Sequence, residues 1–387
     1  MNALSHCDTI RKEADTMVVA RHRPTRLLIS QKAITHNIAV VQKAAQARFI
    51  FAAVKDNAYG FGLLPVSQAA LHGGAQGLAV AVVDDGLALR EAGITAPILI
   101  MSLISATDAR LCAEQHFIVT VASLSWLQEA AAYLADTPAP LLVSLAVDTG
   151  MARIGTRDRA ELAASIQYLQ ERPAQFTYQG LMTHFADSDI VATDYFHRQV
   201  ARWHTLTDGL PEPPMVHVAN SGAAIYHAAE VPTDVVRIGT ALYGLEPSEG
   251  TVRPDDYLAQ IERLESELIM VKKVPAGEGV SYGHTYMTDT DQWIGTVPIG
   301  YGDGLNIKLR GFSVLINGQP CPIVGKLTMD AMMVRLPGPL PVHTPVTILG
   351  QDGDRRITLA DMAKFTGIAA WDLSIQFSDR LPRLLTD

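Results

Sequence analysis

The sequence predicts an α/β fold, an N-terminal (β/α)8 TIM barrel followed by a smaller, mostly β C-terminal domain. Between about residues 25 and 255, short β-branched runs alternate with amphipathic stretches, the pattern of repeated βα units around a parallel sheet. Beyond about residue 258 the texture changes to short alternating runs dense in Gly and Pro. At 387 residues, 48% hydrophobic and 18% charged, the chain also exceeds what one core usually organises. The reading sets a barrel over residues 25–257 and a β domain over 258–387, with the N-terminal segment 1–24 packing on the second.

Eight barrel strands are expected at Phe49–Lys55, Gly77–Ala81, Pro97–Met101, Phe117–Val121, Leu141–Val147, Tyr178–His184, Met215–Ala219 and Val235–Gly239. A doubly wound open sheet produces a similar periodicity, and the strand count favours the barrel. In the second domain, Asn317-Gly318 between apolar flanks signals a tight hairpin joining Ser313–Ile316 to Cys321–Val324. Pro345–Leu349 is expected to pair with Arg356–Leu359, and a short helix lies around Ala360–Phe365. The chain contains no internal repeat, low-complexity tract or long polar linker, so the two domains are expected to dock closely.

Composition excludes several classes of function. A formal net charge of −9 disfavours nucleic acid, whose binders carry a basic stripe that displaces counterions. Cys7, Cys112 and Cys321 lack the paired spacing of a disulfide framework or a zinc site, which fits a reducing cytosol and no metal. Arg11, Lys12, Glu13 and Asp15 interrupt the first thirty residues, leaving no signal-peptide core. The most apolar stretch, Ile94–Ile104, contains Pro97 and Ser102 and falls short of the ~20 residues of a membrane span. A cytoplasmic protein without membrane or nucleic-acid partners is expected.

Reactive groups of a barrel belong at the carboxyl ends of its strands. Strand one ends in Val54-Lys55-Asp56-Asn57-Ala58-Tyr59-Gly60, an amine at the end of an apolar run. Such a lysine is expected to be poorly solvated, which makes it a candidate Schiff-base amine; taken alone, it reads rather as a lysine reaching from a strand end to water. Strands seven and eight end in Asn220-Ser221-Gly222 and Arg237-Ile238-Gly239-Thr240, hydroxyls and close N–H groups where barrels commonly hold a phosphate. Ser, Asn and Gly are also what ordinary turns and N-caps prefer. Strand six delivers His184, and Asp148-Thr149-Gly150-Met151-Ala152-Arg153 after strand five supplies a fixed cation. The convergence of Lys55, His184, Ser221, Arg237 and Arg153 on one face favours a functional site over five separate structural roles.

These segments resemble the alanine racemase family, the fold-type III pyridoxal-phosphate amino-acid racemases. Thr183-His184-Phe185, His217-Val218-Ala219-Asn220-Ser221 and Val236-Arg237-Ile238-Gly239 follow in family order. In the second domain Gly277-Glu278-Gly279-Val280-Ser281-Tyr282-Gly283, Pro298-Ile299-Gly300-Tyr301-Gly302-Asp303-Gly304 and Met329-Asp330 complete the set. The resemblance runs from about residue 25 to 383.

The resemblance implies a pyridoxal 5'-phosphate enzyme that removes the α-proton of a small amino acid and returns it on the other face, which takes one base on each side of the carbon. Lys55 is implied as Schiff-base lysine and as the base leading to the D-enantiomer. Tyr282 is implied as the opposite base, donated by the neighbouring subunit of a homodimer. A phenol needs a cation or a hydrogen-bond chain to act near neutrality, and His184 and Arg237 are the family's candidates. Arg237 is also implied to face the pyridine nitrogen and leave it unprotonated, restraining transamination. Tyr59, Asn220, Ser221, Gly239 and Thr240 resemble the cofactor's ligands. Arg153 and the backbone at Met329, with Asp330, resemble the substrate-carboxylate clamp, and Tyr301 stands at the mouth of the site.

The chain departs from the family pattern at three places. Ala146 stands where many members have a lysine modified to a carbamate, so Arg153 loses an anionic partner, and a chloride, another acidic side chain or water is expected to take its place. Thr328 replaces a frequent Cys. Asp379 replaces a phosphate-binding Tyr and, being an anion, is expected to point elsewhere. Alanine is the leading substrate, with serine or a broader range next. A non-catalytic barrel that binds pyridoxal phosphate would lack the second domain, and a decarboxylase would need a reactive cysteine, for which Cys321 is the nearest candidate.

Overall fold

The computed structural model describes residues 18–253 and 257–387. It divides into two compact units that are interleaved along the chain. The barrel unit comprises the described residues of 29–262 together with 369–375 and 385–387; the second unit comprises 263–368 and 376–384 with the described residues up to 28.

In the barrel unit, eight parallel strands occur where the sequence places them. They are β1 (Phe49–Ala53), β2 (Gly77–Val80), β3 (Ile98–Ile100), β4 (Phe117–Val121), β5 (Leu141–Ala146), β6 (Phe176–Met182), β7 (Met215–His217) and β8 (Val235–Ile238). Each pairs with the next from β1 to β7, and β8 returns to pair with β1, so the barrel is nearly closed. Because helices cover a parallel sheet, its strands read as continuous apolar runs rather than alternating ones; β2, β3 and β4 are buried at every position. One end of the interior is filled by Phe51, Ala53, Ala79, Leu99, Ile118 and Val235. Among the described residues, buried polar side chains on the strands include Thr120 on β4, Ser144 on β5, His217 on β7 and Arg237 on β8.

The helix Gln31–Ala45 illustrates how the outer layer forms. Ser30 caps it by accepting from the Ala33 N–H, and its buried positions Ile34, Ile38, Val41 and Ala45 recur every three to four residues. Burying Ile34 and Ile38, both essentially inaccessible, contributes roughly 1.5–3 kcal/mol each.

The second unit is built on antiparallel pairs. Ser313–Ile316 and Gln319–Val324 form the expected hairpin across Asn317 and Gly318, both with positive φ (52° and 72°) as a type I′ turn requires. Pro345–Asp352 pairs with Arg355–Ile357, and the helix extends over Leu359–Thr366, as expected. The strands join a larger sheet running from Met270–Val274 through Gln292–Val297 and Met332–Leu336 to the hairpin. Of the segment 1–24, residues 1–17 (and with them Cys7) lie outside the described residues; Ala20 donates its N–H to Arg380 O at 2.8 Å, and Arg23 pairs with buried Asp303. No helix among the described residues is long and apolar enough to cross a membrane.

Candidate active site

At the end of β1 the chain reaches Lys55 and turns through four left-handed residues, Asp56, Asn57, Ala58 and Tyr59, with φ of 53°, 52°, 54° and 55°. Left-handed helix costs roughly 1–2 kcal/mol per L-residue, and Asp and Asn tolerate it better than Ala or Tyr. Strain of this kind gathers at functional sites, where the surroundings enforce it. Here Ala58 N–H donates to Val54 O (2.9 Å), Gly60 N–H to Asp56 O (3.0 Å), and Asn57 Oδ1 accepts from Leu63 N–H (2.8 Å). Lys55 and Tyr59, one turn apart, both line the same cavity. The expectation of a poorly solvated Lys55 is corrected: its side chain is 37% exposed, because the strand end opens onto that cavity, and its Nζ lies 4.0 Å from Asp56.

The cavity, about 670 Å³, is lined entirely by barrel-unit residues. Lys55, Tyr59, Arg153, His184, Asn220, Ser221, Arg237, Gly239 and Thr240 all reach it. Ser221 Oγ accepts from the N–H groups of Gly239 (3.0 Å) and Ala241 (3.4 Å). Tyr59 lies against Tyr243 with ring centres 4.5 Å apart, and burial, reinforced by Asp56, pushes its phenol up to about 12. It therefore stays a protonated donor, and its hydroxyl has no hydrogen-bond partner among the described residues. A Cβ at Gly239 would sit 2.6 Å from that hydroxyl, so glycine is what lets Tyr59 stand there. Asn220 is engaged elsewhere. Its Oδ1 accepts from Ser188 Oγ and Ala223 N–H and its Nδ2 donates to Phe185 O, which commits the side chain to capping the next helix.

Arg237 is the hub of the interior. Nη1 donates to His217 O and to His217 Nδ1 (2.9 Å); Nη2 donates to Thr183 O (2.9 Å) and reaches His184 Nδ1 at 3.4 Å. Burial, then Arg153, lowers its pKa to about 10, so the guanidinium remains charged at neutral pH. A guanidinium can only donate, so both imidazoles must present a bare Nδ1 to it. Burial, Arg237, Arg153 and Lys55 together lower His184 to about 3. His184 is thus neutral, carries its proton on Nε2, and can serve in a hydrogen-bond chain but not as the cation of one.

The loop after β5 is organised by Asp148. Burial alone would raise this carboxyl, yet hydrogen bonds from Ala152 N–H, Arg157 Nε and Gly150 N–H hold it below its usual range. Its ion pair goes to Arg157, not Arg153. The expectation that an acidic side chain replaces the anion lost at Ala146 is not met among the described residues: Arg153 faces the cavity with no carboxylate bonded to it.

In the second unit Tyr282 follows Ser281, whose backbone (φ 66°, ψ −172°) lies in a region almost reserved for glycine. Tyr282 is 70% exposed and lines a groove with Lys272, Lys273, Glu278 and Thr328. Tyr301 and Met329 are also exposed and are drawn together by bonds from Tyr301 N–H to Thr328 O (3.1 Å) and from Gly302 N–H to Met329 O (2.9 Å). Thr328 makes the turn itself: its hydroxyl donates to Ala331 O and accepts from Ala331 N–H. Asp330 pairs with Arg380 at 2.8 Å, and Asp379 with Arg383 at 3.4 Å, which accounts for the carboxylate at 379. Cys321 is buried and pushed up to about 11, the opposite of a reactive thiol.

Sequence reasoning assigned no role to His217 or Ser144. The signal available was a single polar residue inside each of two otherwise apolar strand readings.

The family model for the alanine racemase N-terminal domain matches residues 29–247, and that for the C-terminal domain matches 261–385. A lysine racemase of Oenococcus oeni is 47% identical over 373 residues, covering 96% of this chain and all of the relative. The crystal structure of alanine racemase from Oenococcus oeni superposes with a TM-score of 0.91 at 46% identity, covering 95% of this chain and 100% of the other. A histidine racemase from Leuconostoc mesenteroides gives a TM-score of 0.91 at 34% identity with the same coverage. With both domains matched and relatives aligned over nearly the whole length, this chain belongs to the alanine racemase family of isomerases.

Proposed function

We propose that this protein interconverts L- and D-alanine with pyridoxal 5'-phosphate held in the barrel cavity, using Lys55 and Tyr282 as proton-transfer groups on opposite faces of Cα. The observation that carries the reading is the convergence, on one cavity, of an accessible amine, an unpartnered protonated phenol and a guanidinium fixed by four hydrogen bonds. These residues fit the cofactor. The Lys55 amine suits its aldehyde. The Tyr59, Ser221 and Thr240 hydroxyls with the Gly239 backbone suit its phosphate, and Arg237 suits its ring nitrogen. The chemistry that pyridoxal phosphate supplies when bound is electron withdrawal from the α-carbon of an attached amino acid.

The chain's own residues then divide the work. Lys55 Nζ holds or delivers the proton on the face leading to the D-enantiomer, and Tyr282 Oη does so on the other. Arg237, charged at neutral pH and unable to yield its proton, keeps the ring nitrogen unprotonated and so disfavours transamination. His184 Nε2–H is the donor available to a developing phenolate. Arg153 and the backbone at Met329 hold the substrate carboxylate, with Asp330 keeping Arg380 beside that turn and Tyr301 at the mouth of the site. Since Tyr282 is a surface residue of its own unit, the reading assigns it to the site of a second copy, making the working unit a homodimer.

The test is incorporation of solvent deuterium at Cα across L- and D-amino acids for the native protein, Lys55→Ala and Tyr282→Phe. Each variant should retain exchange from at most one enantiomer; equal exchange from both in either variant sinks the two-base assignment. A broader range, including serine and larger side chains, is the second reading, favoured by relatives named for lysine and histidine. The same amino-acid panel decides it.

A further inference from the structure

We propose that Ser144 is a positioning residue: its hydroxyl supplies the acceptor that lets His217 keep its proton on Nε2, as Arg237 requires, and through His217 it keeps Arg237 aimed into the cavity. This rests on the racemase reading only for its kinetic consequence. The three side chains lie inside the barrel on β5, β7 and β8, with Ser144 0%, His217 1% and Arg237 5% exposed.

An imidazole sealed from water must satisfy both nitrogens within the protein. Burial and the adjacent Arg237 keep His217 neutral, so one nitrogen donates and the other accepts. Arg237 Nη1 approaches Nδ1 at 2.9 Å and can only donate, so Nδ1 is bare and Nε2 carries the hydrogen. Nε2 lies 2.9 Å from Ser144 Oγ, which therefore accepts. Without that acceptor a hydrogen on Nε2 is buried and unpaired, which drives the proton to Nδ1, where two N–H groups would face each other and Arg237 would be pushed off its station.

The neighbouring strand is shaped to leave room. Gly180 on β6 is the register partner of Ser144, and a Cβ there would fall 2.8 Å from Ser144 Oγ and 3.0 Å from His217 Nε2. Any side chain at 180 would break the pair. The absence of a side chain at Gly180 and the lone hydroxyl in the apolar run Leu141–Ala146 thus serve one purpose.

The experiment uses holoenzyme labelled with 15N in histidine and arginine. His217 is assigned by loss of its signals in His217→Gln, and native protein is compared with Ser144→Ala and Ser144→Cys. Native His217 should show the Nε2–H tautomer, with resolved Arg237 Nη–H signals reporting a restrained guanidinium. Ser144→Ala should shift the ring towards Nδ1–H and blur the Arg237 signals. Its kcat should fall ~10-fold or more, with KM changed less than about twofold. Ser144→Cys, nearly isosteric with a weaker acceptor, should lie between and serves as the reading if the alanine variant does not fold. A native Nδ1–H tautomer, or an unchanged tautomer in the variants whatever their rate, overturns the proposal; so does an altered tautomer with a native kcat. If native protein racemises nothing, the activity reading falls, and the ring and Arg237 signals still decide the role of Ser144.

Discussion

The barrel unit fixes Arg237 in advance, whereas the second unit leaves Tyr282 open. Arg237 is enclosed and held by four hydrogen bonds to His217, Thr183 and His184. Tyr282 is 70% exposed, follows a strained residue, and its hydroxyl meets no partner among the described residues. A group oriented by its own fold acts as a preorganised electrostatic element whether or not a ligand is present. An exposed phenol gains orientation and a dry environment only when something covers it. Arg237 is oriented by its own fold, whereas Tyr282 is not, and the proposed reading therefore places a second copy over Tyr282.

Complementation gives the largest effect. Lys55→Ala and Tyr282→Phe should each lose racemisation by ~100-fold or more, as expected for removal of a positioned base. If Tyr282 serves the partner's barrel, mixing the two inactive variants under exchange conditions should restore roughly a quarter of native activity, since about half the dimers then hold one intact site. No recovery, with exchange verified by mass spectrometry of mixed dimers, would mean that the two groups do not serve a shared site.

Acid should separate the units next. His184 sits at about 3, and His217 is also depressed, while their unfolded values lie near 6.5. Below pH 6.5 the unfolded chain binds protons that these folded histidines refuse. Stability therefore falls with pH, by up to ~1.4 kcal/mol per pH unit for each ring, until the folded pKa is reached. Amide exchange at pH 6.5 and 5.0 should show barrel strands losing protection faster than the second unit's hairpins; equal loss in both contradicts the assignment.

A smaller effect follows from the cradle. Gly239→Ala drives a Cβ into the Tyr59 hydroxyl, and displacing that donor should weaken cofactor binding by ~10-fold, about one charge-assisted hydrogen bond. Absorbance titration with pyridoxal phosphate measures it, and native affinity would show that Tyr59 is not a ligand. The smallest effect concerns Ser281. Ser281→Ala keeps the unfavourable backbone but loses the hydroxyl's bond to Lys326 O (2.6 Å), lowering stability by about 1 kcal/mol. Ser281→Gly loses the bond and the strain together and should melt nearer to native. A glycine variant melting below the alanine variant would argue that Ser281 is relaxed.

The barrel was legible because most of its strands are buried, mainly apolar runs with a turn behind them, and the Asn317-Gly318 hairpin because its turn chemistry is specific. The residues that line the cavity were legible at strand ends. What stayed hidden depends on tertiary context. The left-handed run through Ala58 and Tyr59 contradicts local propensity, so only the surrounding bonds explain it. The capping role of Asn220 stayed hidden because a capping side chain and a ligand are the same residue type. Arg153 gained no acidic partner because Asp148 is already spent on Arg157, a choice that spacing alone does not disclose.

The segment Ala369–Ile375 belongs to the barrel unit although it arrives more than a hundred positions after that unit's main stretch ends at Glu262, and its Trp371 and Ile375 form part of the cavity wall. On the ribosome, at ~5–20 residues per second, the eight strands are therefore complete roughly 7–26 seconds before the wall they need. During that interval the nascent barrel exposes an unfinished pocket, and chains truncated near residue 262 would remain in that condition permanently.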